Sequence, residues 1–165
     1  MMNQLILSFI CPDRPGLVDT LSDVVKQHDG NWQTSSLHHL SGFFSGVVEI
    51  AVTEAQTTAL IDKIHSIPNI KCIIEQTHLH SASQASIVLE LTANDRSGIV
   101  QDIASVVHQQ GGNLLKLVSA HEAAAHTGVA LFKAKVSIDV APHKVDELIT
   151  ALESTADDLM VDVSR

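Results

Sequence analysis

Apolar residues recur along this chain in two alternating periods. LILSFI (Leu5 to Ile10) and IVLELT (Ile87 to Thr92) are short β-favouring runs. Helical spacing follows each. Leu17, Leu21, Val24, Val25 and His28 fall at i, i+4, i+7, i+8 and i+11, one face of an α-helix. Ile99, Ile103, Val106, Val107 and Gln110 repeat that spacing. Pro15 suits a first helical turn, where its missing N–H costs nothing. Gly30 and Gly112 read as C-terminal stops. Second strands are predicted near residues 32–39 and 114–121, and third strands near 43–52 and 128–138, with Ser41-Gly42 as a turn. Thr53-Glu54-Ala55-Gln56 reads as a capping box opening a helix with Leu60, Ile61 and Ile64 inward. Pro142 opens its counterpart, with Val145, Leu148, Ile149 and Leu152 inward. Final strands are predicted near 71–78 and 159–163.

The two series are copies. Asp13 and Asp95 stand 82 positions apart, and so do Gly16 and Gly98, Gly30 and Gly112, and Asn31 and Asn113. DRPGLVDTLSDVVKQHDGN lies over DRSGIVQDIASVVHQQGGN without a gap. Chance likeness between two amphipathic helices would not also preserve the flanking Asp-Arg and Gly-Asn, so the chain contains an internal duplication. The small polar joint SASQAS, Ser81 to Ser86, divides it into domains 1–81 and 82–165.

Each half therefore reads β-α-β-β-α-β. Two right-handed crossovers around a hairpin give an antiparallel sheet of order 4-1-3-2 with both helices on one face. The fold class is α+β, two ferredoxin-like domains. Each half has an exposed edge strand, which proteins tend to cover. That predicts halves packed side by side through their second strands, and leaves room for a homodimer.

Composition narrows the chemistry. Of 165 residues, 45% are apolar and 3% aromatic, so Val, Ile, Leu and Ala must build the core. The formal charge of −9, with Lys and Arg scattered singly, disfavours direct nucleic-acid binding. With no Tyr and one Trp there is little for bases to stack on. No apolar run reaches membrane-span length, and the N-terminus lacks the basic region of a signal peptide. Two cysteines, Cys11 and Cys72, make no disulfide framework, so a cytoplasmic protein with reduced thiols is expected. If the final strand lies beside the first, the two thiols come close.

A ferredoxin-like half with Asp-Arg-Pro-Gly-Leu-Val between first strand and first helix, then Gly-Asn before the second strand, resembles the ACT domain. Both halves carry the pattern. A tandem of this length resembles the glycine cleavage system transcriptional repressor family. The resemblance implies an amino-acid-sensing regulator, with glycine as first candidate. It would act through a DNA-binding transcription factor as partner, and would need no cofactor. Ser97 stands where the first copy has Pro15, and Gly111 where it has Asp29, so the two sites need not be equivalent.

The candidate ligand-binding residues are Asp13, Arg14, Pro15, Gly16, Leu17 and Val18 in the first copy. Asn94, Asp95, Arg96, Ser97, Gly98, Ile99 and Val100 are those of the second. A helix N-terminus offers unpaired N–H groups and a positive dipole end, suited to a carboxylate. Gly16 and Gly98 leave room for close approach. Asp13 and Asp95 are placed to accept from an α-ammonium group or, more plainly, to cap their own helices. Arg14 and Arg96 are placed to steer a carboxylate or to form surface ion pairs. Asn31 and Asn113 suit turn geometry and are added as interface or ligand contacts.

Other constellations carry less. His38-His39 and His78/His80 belong to opposite edges of one sheet, about 14 Å apart, too far for one metal ion. His39 and His121 share the repeat offset and are expected to face the ligand or each other. HEAAAH, His121 to His126, is one residue too long for a zinc-helix motif. The sequence has no nucleophile elbow, P-loop or dinucleotide fingerprint, so an enzyme is not expected. The alternatives are a pure protein-interaction module and, last, a small ferredoxin-like enzyme such as an acylphosphatase.

Overall fold

Alternation of apolar and polar side chains puts Leu5, Leu7, Phe9 and Cys11 on one face of the first strand, and all four are buried. The computed structural model describes residues 1–78, 86–123, 126 and 128–164. The chain divides into two units, Met1–Ser81 and Ala82–Arg165. The first contains β1 (Met2–Pro12), α1 (Leu17–Gln27), β2 (Asn31–Leu40), β3 (Phe43–Thr53), α2 (Glu54–His65) and β4 (Lys71–Thr77). The second contains β5 (Ser86–Asn94), α3 (Ile99–Gln109), β6 (Asn113–Ala123), β7 (Ala130–Asp139), a 3-10 turn (Pro142–Lys144), α4 (Val145–Glu153) and β8 (Met160–Val163). The sheets run β2-β3-β1-β4 and β6-β7-β5-β8, antiparallel throughout. This is the expected βαββαβ arrangement, twice. His80 and Ser81 to Ala85 of the joint lie outside the described residues.

Each unit has its own core. In the first, Leu17, Leu21, Val24 and Val25 of α1 and Leu60 and Ile64 of α2 cover Leu5, Leu7, Val48, Ile50 and Val52 of the sheet. In the second, Ile99, Ile103, Val107, Leu148 and Leu152 cover Leu89, Leu91, Val136 and Ile138. Burying a side chain of this kind contributes about 1.5–3 kcal/mol, which fixes the face each helix presents.

Helix boundaries depart from expectation in three places. α1 begins at Leu17 with Gly16 as its N-cap, so Pro15 precedes the cap instead of opening the helix. No capping box forms at α2: the Thr53 side chain makes no cap bond, and the Glu54 N–H donates to the Met1 carbonyl. The strand pairing of Met2 with Thr53 brings that carbonyl into place.

The third departure concerns the glycine stops. α1 ends with Gly30 N–H donating to the Val25 carbonyl and Asp29 N–H to the Lys26 carbonyl. α3 ends with Gly112 to Val107 and Gly111 to His108. Both are Schellman ends, whose left-handed residue is the one before each expected stop. That residue is Asp29 at φ 54 in one copy and Gly111 at φ 74 in the other. Gly30 is needed for another reason: a Cβ there would lie 2.9 Å from Val25 Cγ1 and 3.0 Å from the Val25 carbonyl oxygen. Asp29→Gly should therefore stabilise the protein by about 0.5–1 kcal/mol. Gly30→Ala should cost about 1–3 kcal/mol through overpacking. Urea unfolding midpoints check both; a destabilised Asp29→Gly would contradict the strain argument.

Candidate functional site

The chain must turn from β1 onto α1 between Pro12 and Leu17, and from β5 onto α3 between Asn94 and Ile99. Both turns close the same way. Asp13 N–H donates to the Gly42 carbonyl at 3.0 Å, and Asp95 N–H to the Ala130 carbonyl at 2.9 Å. Gly16 and Gly98 follow in the left-handed region, at φ 80 and φ 84. A Cβ at either would meet nothing within 4 Å. These glycines are thus required by backbone conformation, and the space above each is open.

Neither aspartate caps its helix; no side-chain cap bond forms at α1 or α3. Each pairs with a histidine of its own unit. Asp13 Oδ2 lies 2.5 Å from His39 Nδ1, and Asp95 Oδ1 lies 3.4 Å from His121 Nε2. The duplication thus preserved the pair as well as the loop. His39 and His121 do not need a partner across the units to explain them.

A one-residue bulge orients these histidines. In β2 the register slips between Trp32 and Ser35, and in β6 between Leu114 and Lys116. Beyond the slip, His39 stands opposite Phe44 and His121 opposite Phe132, on the helix-covered face. Uninterrupted alternation from Trp32 would have turned His38 inward instead. His38 bonds its neighbour Ser36 at 3.0 Å.

The arginines are held locally. Arg14 donates to the Pro68 carbonyl at 3.3 Å, and Arg96 pairs with Asp102 at 2.7 Å. Both members of the Arg96–Asp102 pair are well exposed, so it is worth about 1 kcal/mol at most. The Asn94 backbone N–H donates to Asp158 at 2.7 Å. Leu17 and Ile99 are buried in the cores, while Val18 and Val100 are exposed.

In the second unit the loop opens a cleft of about 370 Å³ lined by Asp95 to Gln101 together with Ser119, His121 and Phe132. It offers a carboxylate, a guanidinium, an imidazole, an amide, two hydroxyls and the N-terminal end of α3 over an apolar floor. That set suits a small zwitterion. Ser119 and Phe132 carried no signal in the sequence, because only strand register brings them to the loop. Asn31 and Asn113 do not join this cluster within their own units. Each opens its strand eight residues before the histidine, a distance of roughly 26 Å. A second cleft of about 410 Å³ lies on the sheet of that unit, between Glu90, Thr92, Val118, Lys133 and Lys135. Lys133 there is already paired with Glu122 at 2.7 Å.

The cysteines are free. Cys72 stands opposite Phe9, so Cys11 is its diagonal neighbour, about 7–8 Å away. Cys11 donates to the Phe44 carbonyl, and Cys72 lies 3.5 Å from His65 Nδ1. Burial pushes both thiols up from their ordinary value; at Cys11 the nearby Arg14 opposes this and Asp13 adds to it. The described residues contain no cluster of three metal-ligating side chains. The His121–Ala123 part of HEAAAH closes β6, and His126 lies in a turn.

Two outcomes follow from this geometry. Gly98→Asn should be tolerated at a cost below about 1 kcal/mol, since Asn accepts the left-handed region, whereas β-branched Gly98→Val should cost about 1–2 kcal/mol more. Thermal melts of the pair check the difference. At pH 7 both cysteines should react with iodoacetamide more slowly than free cysteine, because less thiolate is present. Mass spectrometry of the timed reaction checks it; alkylation as fast as free cysteine would contradict the burial argument.

No family model and no curated protein matches the sequence. Solved structures do match the fold. A Galdieria sulphuraria protein described as unknown is 19% identical, with each chain covered in full and a TM-score of 0.80. A "putative glycine cleavage system transcriptional repressor" is 14% identical, covering 100% of this chain and 99% of its own, with a TM-score of 0.76. The ACT domain of a Chlorobium tepidum GTP pyrophosphokinase is 20% identical and spans 47% of this chain and 100% of its own, with a TM-score of 0.39. By fold, then, this chain is a tandem of two ferredoxin-like units, similar along its whole length to the structure described as a putative glycine cleavage system transcriptional repressor.

Proposed function

We propose that the protein is a regulator that binds a small amino acid, glycine first among candidates, at its strand-to-helix loop. It passes that state to a DNA-binding transcription factor by protein–protein contact and so represses glycine cleavage genes. The observation that carries the reading is the cleft of the second unit, where Asp95, Ser97, Ser119 and His121 converge beside the start of α3. A carboxylate group is favoured there by the helix dipole and an ammonium group by Asp95. The net charge of −9 supports action through a protein and not through DNA. The full-length likeness to a structure described as a repressor supports the sign of regulation. Free thiols support a cytoplasmic setting.

One observation favours a second reading. In the first unit His39 already occupies Asp13, as a loop kept for its shape would have it. If both loops served shape alone, the protein would be an interaction module without a ligand.

A thermal-shift panel of the twenty amino acids separates the two readings. A specific ligand at a hundredfold excess over its dissociation constant adds about 2.7 kcal/mol, a rise of several degrees. A clear rise with glycine or a close analogue is expected. A flat panel would leave the interaction module as the reading.

A further inference from the structure

The duplication allows the two loops to be compared position by position. Asp, Arg and Gly are common to both, as is the histidine facing each aspartate. Three polar positions of the cleft are not: Gln101 is Asp19 in the first copy, and two serines are replaced by apolar residues. Ser97 of the second loop is Pro15 in the first, and Ser119 of β6 is Leu37 in β2. The second change alters the space beside the loop. Leu37 stands opposite Gly46 and packs against the core of the first unit. A Cβ on Gly46 would fall 2.4 Å from Leu37 Cδ2, so the leucine fills the room that the missing side chain leaves. In the second unit Ser119 stands opposite Ala134 and lines the open cleft.

Both aspartates keep a histidine beside them. Asp13 lies 2.5 Å from its histidine, while Asp95 lies 3.4 Å from its own. The arginines differ too. Arg14 donates to the Pro68 carbonyl in the turn after α2, while Arg96 pairs with Asp102 on α3. Pro15 and Leu37 remove two hydroxyls, and Leu37 fills space, in the first copy.

We propose that the duplicated loops have divided their roles: the second alone binds the small amino acid, and the first persists as a structural copy. In the second loop, Asp95 receives the ammonium group. Ser97, Ser119 and His121 donate to the carboxylate beside the start of α3. Phe132 and Ile99 limit the room for a side chain. This rests on the sensor reading above and adds which copy reads the ligand and by what residues.

The test is equilibrium dialysis of the full chain with radiolabelled glycine, and with radiolabelled L-serine alongside. The wild type should bind one equivalent per chain. Ser119→Leu, which carries the first copy's residue into the second, should lose at least tenfold in affinity, with no residual tight site. Its thermal melt reports whether it is folded. Two equivalents in the wild type, or one full-affinity equivalent retained in Ser119→Leu, would overturn the division of roles while leaving the sensor reading intact. Absence of binding by the wild type to both, together with a flat thermal-shift panel of the twenty amino acids, would overturn the two together. The wild-type stoichiometry decides the matter even if the variant does not fold.

Discussion

The reversal between first strand and first helix is the constraint on which each unit depends. A sheet with one apolar face can bury that face only if the next element folds back over it within a few residues. Here the chain leaves β1 at Pro12 and enters α1 at Leu17. An L-residue with a side chain resists the left-handed conformation that closes so short a turn, so glycine stands at Gly16 and again at Gly98. Because no Cβ follows, the helix N-terminus is left beside open space. The requirement of the fold and the opportunity for a ligand are thus one feature, which is why the motif alone does not separate them.

The Asp–His pairs are supported from the opposite side of the turn. Each histidine comes from the edge strand and reaches the helix-covered face only through the bulge upstream of it. A bulge costs a ladder interaction and twists its strand. Its recurrence in both units means the pairing inherits from the duplicated architecture, while the residues around it have changed. Some of those changes fall at the cleft. Leucine over glycine sets an apolar side chain beside the loop in one copy, and serine over alanine sets a hydroxyl there in the other.

Most of the architecture was legible in the sequence. The hydrophobic periods located every helix and strand to within a few residues, and the gapless repeat implied two equal units. The candidate loop residues were legible as well, since the strand-to-helix junction is contiguous in sequence. What escaped was anything set by register. Ser119 and Phe132 reach the loop through cross-strand pairing, and Asn31 and Asn113 stand at the other end of the strand from it. Pairing register also reaches Thr53, where no capping box forms: it ends β3 opposite Met2, and the next N–H, that of Glu54, donates to the Met1 carbonyl.

By itself, the sequence determined the element order, the faces buried, the duplication and the positions of its turns. Those follow from local periodicity and from the few residues that tolerate special backbone angles. Only the tertiary structure decided which partner each turn residue takes: histidine for Asp13 and Asp95, the Pro68 carbonyl for Arg14, Asp102 for Arg96. It also decided that Asp29 and Gly111, and not the glycines after them, carry the left-handed helix ends. The reason is physical: periodicity fixes which way a side chain points along its own element, while partners are set by pairing register and by loops meeting from distant parts of the chain. CPDRPGLV and ANDRSGIV look alike as sequences, and become different surroundings only when Leu37 and Ser119 are brought beside them.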